Sequence, residues 1–550
     1  MKKILNVEYC IMCRFRILFF LLFALVSFWE ACGEGLDRGG PVSGKARSEQ
    51  QMDHEERLRS LFYEHEQKLE KLAGICEARG YGELAEKARA LTHMPESGEK
   101  LFALILPPEV QDAELAQIGS AKKSLRSSKA GSGEKKERSA AKKTFSEQFG
   151  SRLQKVKLEA SDHGFRLAQD AMDAGHTAFA FDLLMKVLAL NPDHPAARKL
   201  LGYELHEGYW LSPFEVRQAR TKIYHPRYGW IPRKGAERYE QGERFVNGRW
   251  ISEEEDARIH RDIERGWTVE TPHFTVVTNH SLPAAVKIGE QVEVLYRVWK
   301  QLFLRYFATD AQMKALFAGK PSSGGAAQGM GAGTGGKHRI VFFRNRKEYV
   351  DYLAPRYPSV ANSCGFYVIE DRTSYFFAGE EFDRATMLHE VTHQLFSELR
   401  RTSPQITERP NFWMVEGIAI HMESLHDEGR YHVVGGFDTQ RLLAARIRFV
   451  KDGFYVPLRE LCAMNTQEFQ THPQMVRLYS QSAGLMQFLL HSSDGRYRDA
   501  VADILREIYS GQSVMNTLPK HLGRSFEELD EEYREFISRN AEELSQWEMD

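Results

Sequence analysis

Cysteine is scarce in this chain and badly placed for cross-linking. Of six cysteines in 550 residues, Cys10, Cys13 and Cys32 fall in the first 32 positions, and Cys76, Cys364 and Cys462 are widely spaced and odd in number. This excludes a disulfide framework, and the last three lack the C-x-x-C spacing of a cysteine-ligated zinc. They are expected as buried or free thiols, with the fold held by its core. Net charge is also small, −2 from 74 basic and 76 acidic residues, so no overall field draws the chain to nucleic acid or to a membrane surface. Long hydrophobic runs are missing beyond Ile17 to Trp29, which follows Lys2, Lys3, Arg14 and Arg16. That run is too short for a comfortable transmembrane helix and fits a signal segment over residues 1–32, with an uncleaved anchor as the alternative. The Gly-rich stretch Gly319 to Gly336 lacks a closing Gly-Lys-Ser/Thr, so it is no phosphate loop and is expected as a flexible surface loop.

What is present divides the chain into segments. Cys32 directly after Ala31 is placed as in a bacterial lipoprotein cleavage site, although Trp29 and Glu30 fit that motif poorly. Either way the mature chain is expected outside the cytoplasm: secreted, periplasmic or anchored by a lipid on Cys32. Residues 50–118 are expected to hold a helical hairpin, because Leu58, Leu61, Leu69 and Leu72 recur at helical spacing, Gly80-Tyr81-Gly82 breaks the run and Glu83 to Leu91 resumes it. Residues 119–144 are rich in Lys, Ser, Ala and Gly without an apolar period; a disordered basic linker explains them better than a nucleic-acid arm. Residues 145–207 are helical again. Within them the run Ala178 to Gly202, with Asn191-Pro192-Asp193-His194-Pro195 between two apolar patterns, resembles a tetratricopeptide-type unit, and one unit suits a small helical region or a partner-binding cap.

A short repeat follows over residues 208–268. Gly208-Tyr209-Trp210, Gly229-Trp230 and Gly248-Arg249-Trp250 recur about twenty residues apart, with Trp267 a candidate fourth member. Each is read as a turn leading into a strand or helix start with Trp packed inward; sugar stacking on these Trp residues is the alternative. From Thr271 the pattern alternates strand and helix. Phe274 to Thr278, Arg339 to Phe343, Cys364 to Ile369 and Thr373 to Phe377 read as strands. Leu282 to Phe307 reads as a long amphipathic helix and Lys347 to Leu353 as a short one. Runs of this order make an α+β layer, and 42% hydrophobic residues suffice for two or three domains.

The chemistry concentrates in Leu388-His389-Glu390-Val391-Thr392-His393, an H-E-x-x-H, and in Trp413-Met414-Val415-Glu416-Gly417-Ile418-Ala419. On a helix His389 and His393 lie one turn apart on one face, where two imidazoles can share a metal ion, with Glu390 beside them as general base. An H-E-x-x-H alone also arises on ordinary helices with two surface histidines. Here Leu388, Val391 and Leu395 give the helix a buried side, Asp383 is a plausible N-cap, and Pro404 and Pro410 mark the connection to a second helix, Asn411 to Glu423. Catalytic zinc takes three protein ligands and keeps one position open, and Glu416 is the obvious third.

These two motifs together resemble the gluzincin metallopeptidases, most closely the peptidase MA-like branch, which is similar to the thermolysin and aminopeptidase-N families. The resemblance covers about Thr271 to Ile537, and only weakly the Trp/Gly connector. It implies a zincin-like domain over residues 271–540, with a mixed sheet, an active-site helix and a helical C-terminal subdomain. It implies Zn2+ on His389, His393 and Glu416, water polarised by Glu390, and a peptide or protein substrate paired along the sheet-edge strand, which would be Thr373 to Phe377. Tyr479, in Tyr479-Ser480-Gln481-Ser482-Ala483-Gly484, matches the Tyr-containing helix of the aminopeptidase-N group and would share the oxyanion; a core tyrosine satisfied by backbone is the other reading, and Tyr431 and Tyr455 are further candidates. Val415 stands where that group commonly has Asn, and the exopeptidase motif is missing, which leaves aminopeptidase activity unsupported. The competing expectation is a scaffold that binds a partner through its helical and Trp/Gly parts and carries a structural or inactive zincin domain.

Overall fold

The computed structural model describes residues 44–90, 100–105, 145–319, 336–380, 382–400 and 402–539. The signal segment with Cys32, the basic linker 119–144 and all but the ends of the Gly-rich insertion lie outside these residues. Among the described residues no helix is long and apolar enough to cross a membrane. The architecture is α+β: many helices with several small sheets.

The front of the chain is a helical stack. Helices Gly44–Glu77 and Gly82–Ala90 form the expected hairpin, and Leu69, Leu72, Ala73 and Cys76 pack with Ala85, Ala88, Phe149 and Leu153. A strand the periodicity did not announce, β1 (Lys100–Leu104), follows. The helix pair that packs in the tetratricopeptide-like region is Phe145–Asp173 with Thr177–Leu190; the second helix of the expected Ala178 to Gly202 unit shrinks to Pro195–Leu200. Pro195 starts that turn, and Gly202 ends it at φ 93°, a conformation glycine tolerates.

The Trp/Gly connector is three consecutive β-hairpins, each followed by a short helical segment. The strands are β2 (Glu204–His206) with β3 (Tyr209–Leu211), β4 (Lys222–His225) with β5 (Gly229–Pro232), and β6 (Glu243–Val246) with β7 (Arg249–Ser252). Asn247-Gly248, both at positive φ, make the tight primed turn that suits a two-residue hairpin loop. Ser212 and Ser252 cap the helices after the first and third hairpins. Trp210 is buried, and Trp250 lies over Gly235 so closely that a Cβ there would sit 2.3 Å from the ring. Trp267 does not continue the series. It opens β8 (Trp267–Glu270), which pairs antiparallel with β9 (Phe274–Thr278), so the main sheet takes in residues just ahead of Thr271.

The main sheet has five strands in the order β11–β12–β10–β9–β8, with β10 (His338–Phe343), β11 (Phe366–Val368) and β12 (Thr373–Phe377). β9, β10 and β12 run parallel, and the two outer strands are antiparallel to their neighbours. The expected edge strand is therefore corrected: Thr373–Phe377 is interior, and the short strand β11 covers it. All five residues of β12 are buried, which suits a strand covered on both faces and both sides. A second sheet joins β1 to β14 (Tyr431–Gly435) and β13 (His426–Glu428), stitching the front of the chain into its rear.

The long helix Leu282–Phe307 organises the rest. Ser281 caps it, and its apolar side carries Ile288, Val292, Leu295, Trp299 and Leu302 into the largest core. That core runs on through helices Arg384–Leu399, Phe412–Met422, Met475–His491, Arg498–Tyr509 and Phe526–Ser538. A second core is shared between the halves: Phe181, Leu184 and Leu188 from the front pack with Leu304, Ala308, Met313 and Phe317 from the rear. Polar links reinforce it, since Arg498 is buried and pairs with Asp182, and Gln301 also donates to Asp182.

Candidate metal centre

H-E-x-x-H lies in the middle of helix Arg384–Leu399, started by Asp383, whose carboxylate accepts the Ala385 amide at 3.0 Å. The apolar side Leu388, Val391 and Leu395 is fully buried, and Phe396 meets Trp299, Phe303 and Tyr306 of the long helix with ring centroids 5.1, 5.2 and 4.9 Å away. The polar side is tied to the sheet. The Gln394 amide donates to the Arg339 and Arg372 carbonyls and to Glu398, and accepts from the Ser374 hydroxyl. Glu398 further gathers His338 and the Tyr367 hydroxyl. A helix fixed on both sides presents His389 and His393 in one orientation.

The second helix, Phe412–Met422, starts at Asn411, which holds φ 71° and donates its side-chain amide to Ser513 and to the Val514 carbonyl. It crosses Met475–His491 with the backbones close together, because a Cβ on Gly417 would lie 2.9 Å from the Ser482 carbonyl oxygen. Glycine beside Glu416 therefore sets how deeply this helix sits, and with it the reach of the carboxylate.

The two helices bring His389, His393 and Glu416 together, with one ligand atom from each inside a 4.8 Å circle. The imidazole Nε2 atoms are 3.1 Å apart, and Glu416 lies 3.5 Å from His389 and 3.8 Å from His393. Ligands about 2.0–2.1 Å from a tetrahedral zinc are roughly 3.3 Å from one another, so the donor set fits a single small cation. Charge points the same way. Burial pushes His389 down, but hydrogen bonds to Glu416 and Glu423 outweigh it and raise its pKa to about 9. Burial and the His389 charge hold His393 down to about 4. Glu416 stays below the usual carboxylate range despite burial, through its hydrogen bond to His389. The pocket thus balances its carboxylates with positive charge, which a divalent metal also supplies.

The sequence motifs did not point to Glu423. It accepts from His389 Nδ1 at 2.8 Å and from Arg441 Nε at 3.1 Å. Such a carboxylate fixes the imidazole tautomer and leaves Nε2 free as a ligand. The signal was available: Glu423 follows Glu416 by two helical turns on the same face. Glu390 accepts the backbone N–H of Tyr367 at 3.0 Å, which places the candidate base beside the edge strand β11, a contact no local pattern encodes. Tyr479 is buried near the site; burial and the charges of Glu416 and Glu390 raise its pKa well above the ordinary phenol value. Tyr431 and Tyr455 lie in other surroundings. Tyr431 is in β14 with its ring edge-on to Phe102, and Tyr455 donates to Asp530 and stacks on Tyr533. No protein-family model matches the chain, and no curated protein matches it.

Proposed function

We propose that this protein is a zinc-dependent metallopeptidase of the gluzincin type, its rear half a zincin-like domain. The observation that carries the reading is the convergence of His389, His393 and Glu416 from two crossing helices, with Glu390 adjacent and Glu423 behind His389. Three protein ligands leave a position open, which suits catalysis, whereas structural zinc is closed by four. His389, His393 and Glu416 would hold the metal. When bound, zinc supplies a Lewis acid that brings the pKa of water towards about 7 and polarises a carbonyl.

The chain's own groups do the rest. The Glu390 carboxylate takes the proton of the attacking water and returns it to the leaving amine, steadied by the Tyr367 N–H. The Tyr479 phenol, kept protonated by its surroundings, donates a hydrogen bond to the developing oxyanion. The free edge of β11 runs past Glu390, so an extended peptide added there as a further strand would bring its amide to the base.

The test is metal content and peptide-library cleavage by the full chain beside His389→Ala, Glu416→Ala and Glu390→Gln. We expect about one zinc per chain, lost in the first two variants and kept in the third, with cleavage abolished in all three. Full cleavage by Glu390→Gln, or a folded wild-type chain that takes up no zinc, overturns the reading.

A further inference from the structure

The long helix has a second functional face. On the side away from the metal helix, it bounds a cleft of about 710 Å³ closed by β1, helix Thr177–Leu190 and the Trp/Gly hairpins. That volume is in the range of sites that hold small organic ligands. Phe181, Met185, Phe214, Trp230, Val294 and Val298 supply an apolar lining drawn from both halves of the chain.

Its charges are settled with one exception. Glu215 accepts the Ser212 N–H, Glu270 pairs with Lys337, and Glu290 takes the Tyr224 hydroxyl. Glu293 accepts from the Thr271 hydroxyl and from the His273 backbone and ring. Arg297 is hydrogen-bonded to Tyr203 and held charged by Glu293 and Glu215, and His432 is paired with Asp427. Arg217 is exposed to solvent. Lys300 differs from all of these. It is partly buried in the lining and, among the described residues, makes no hydrogen bond or ion pair. Burial alone acts on it and lowers its pKa to about 8, so at neutral pH the cleft carries an ammonium that no carboxylate contacts directly.

We propose that this cleft binds a small amphipathic monocarboxylate, its head on Lys300 and its apolar body along the Phe181 and Trp230 lining. An anion from outside supplies what no neighbouring side chain supplies. A single charge suits the site better than a phosphate dianion, because four glutamates line the cleft and its one uncommitted, partly buried cation is a lysine, a point charge without the fork of an arginine. Fatty acids and peptides with an apolar C-terminus share this chemistry. The inference is independent of the metal centre, on the other side of the long helix.

Titration calorimetry on the full chain tests it, using dodecanoate below its micelle concentration and N-acetyl-Leu-Phe with a free carboxylate. Dodecanol and the peptide amide serve as uncharged counterparts. We expect about one molecule of at least one acid per chain, with binding about tenfold or more weaker for its uncharged counterpart. The same loss is expected in Lys300→Met, with recovery in Lys300→Arg and unchanged zinc content throughout. Which acid binds tells a lipid source from a peptide source. Binding of neither acid, equal binding of acid and uncharged counterpart by the wild type, or equal binding by wild type and a folded Lys300→Met overturns the proposal.

Discussion

The two faces of the long helix Leu282–Phe307 follow opposite rules. One buries Val292, Leu295, Trp299 and Phe303 against the motif helix, leaving almost no exposed surface. The other carries Glu290, Glu293, Arg297 and Lys300 into an open cleft. The first face fixes the candidate metal centre within tight packing, where small displacements are costly. The second gathers segments from far apart in the chain around space a ligand can enter. Rigidity on one side is thus bought by a scaffold that includes the front half, because the same helix ends in the core shared with Phe181 and Leu184.

That dependence can be broken outright. A fragment starting at Trp267 strips the shared core from Leu304, Met313 and Phe317 and removes β1 from β14. Each large side chain so exposed costs about 1.5–3 kcal/mol, so we expect no cooperative melt by circular dichroism and no zinc retention. A sharper cut is Asp182→Ala, which leaves buried Arg498 unpaired; we expect about 3 kcal/mol lost in urea unfolding with zinc stoichiometry unchanged. Gly417→Ala acts on the other face. Its Cβ would press the Ser482 carbonyl and lift Glu416, so about 1–3 kcal/mol should go and zinc affinity with it. Glu423→Gln should spare the fold and weaken zinc binding about 10- to 100-fold in a chelator competition.

The contrast also explains what was legible. The helices around His389 and Glu416 announce themselves by local signals: Asp383 as a cap, Leu388, Val391 and Leu395 at helical spacing, and prolines between them. Strands β9, β10 and β12 show in short β-branched and aromatic runs. Pairing does not show. β1 finds β14 near the other end of the chain, and β11 displaces β12 from the sheet edge, through hydrogen bonds that leave no mark on composition. Trp267 keeps the repeat's Gly-Trp pattern yet joins the main sheet, because its neighbour β9, not its spacing, decides its fate. The candidate ligands could be named because two short local motifs, one on each of two helices, carry them. The Lys300 cleft could not, because its lining comes from many stretches scattered between Ala103 and His432.

The smallest effect separates scaffold from candidate metal centre by pH. Glu507, on helix Arg498–Tyr509, accepts from the Thr517 hydroxyl and from His521 and pairs with Lys520, docking the turn of helix at Thr517–Leu522. Burial pushes its pKa up, but these partners outweigh it and bring it down from 4.5 to about 2. A carboxyl depressed in the folded state binds its proton more readily once unfolded. Its contribution is therefore complete above about pH 4.5 and lost as pH falls towards 2. With solvent screening we expect about 1 kcal/mol, read as the gap in urea midpoint between wild type and Glu507→Gln. The gap should be present at about pH 5 and close by about pH 2. A gap that persists at the acid end would mean that Glu507 acts through packing alone, and that the acid sensitivity of this scaffold lies elsewhere.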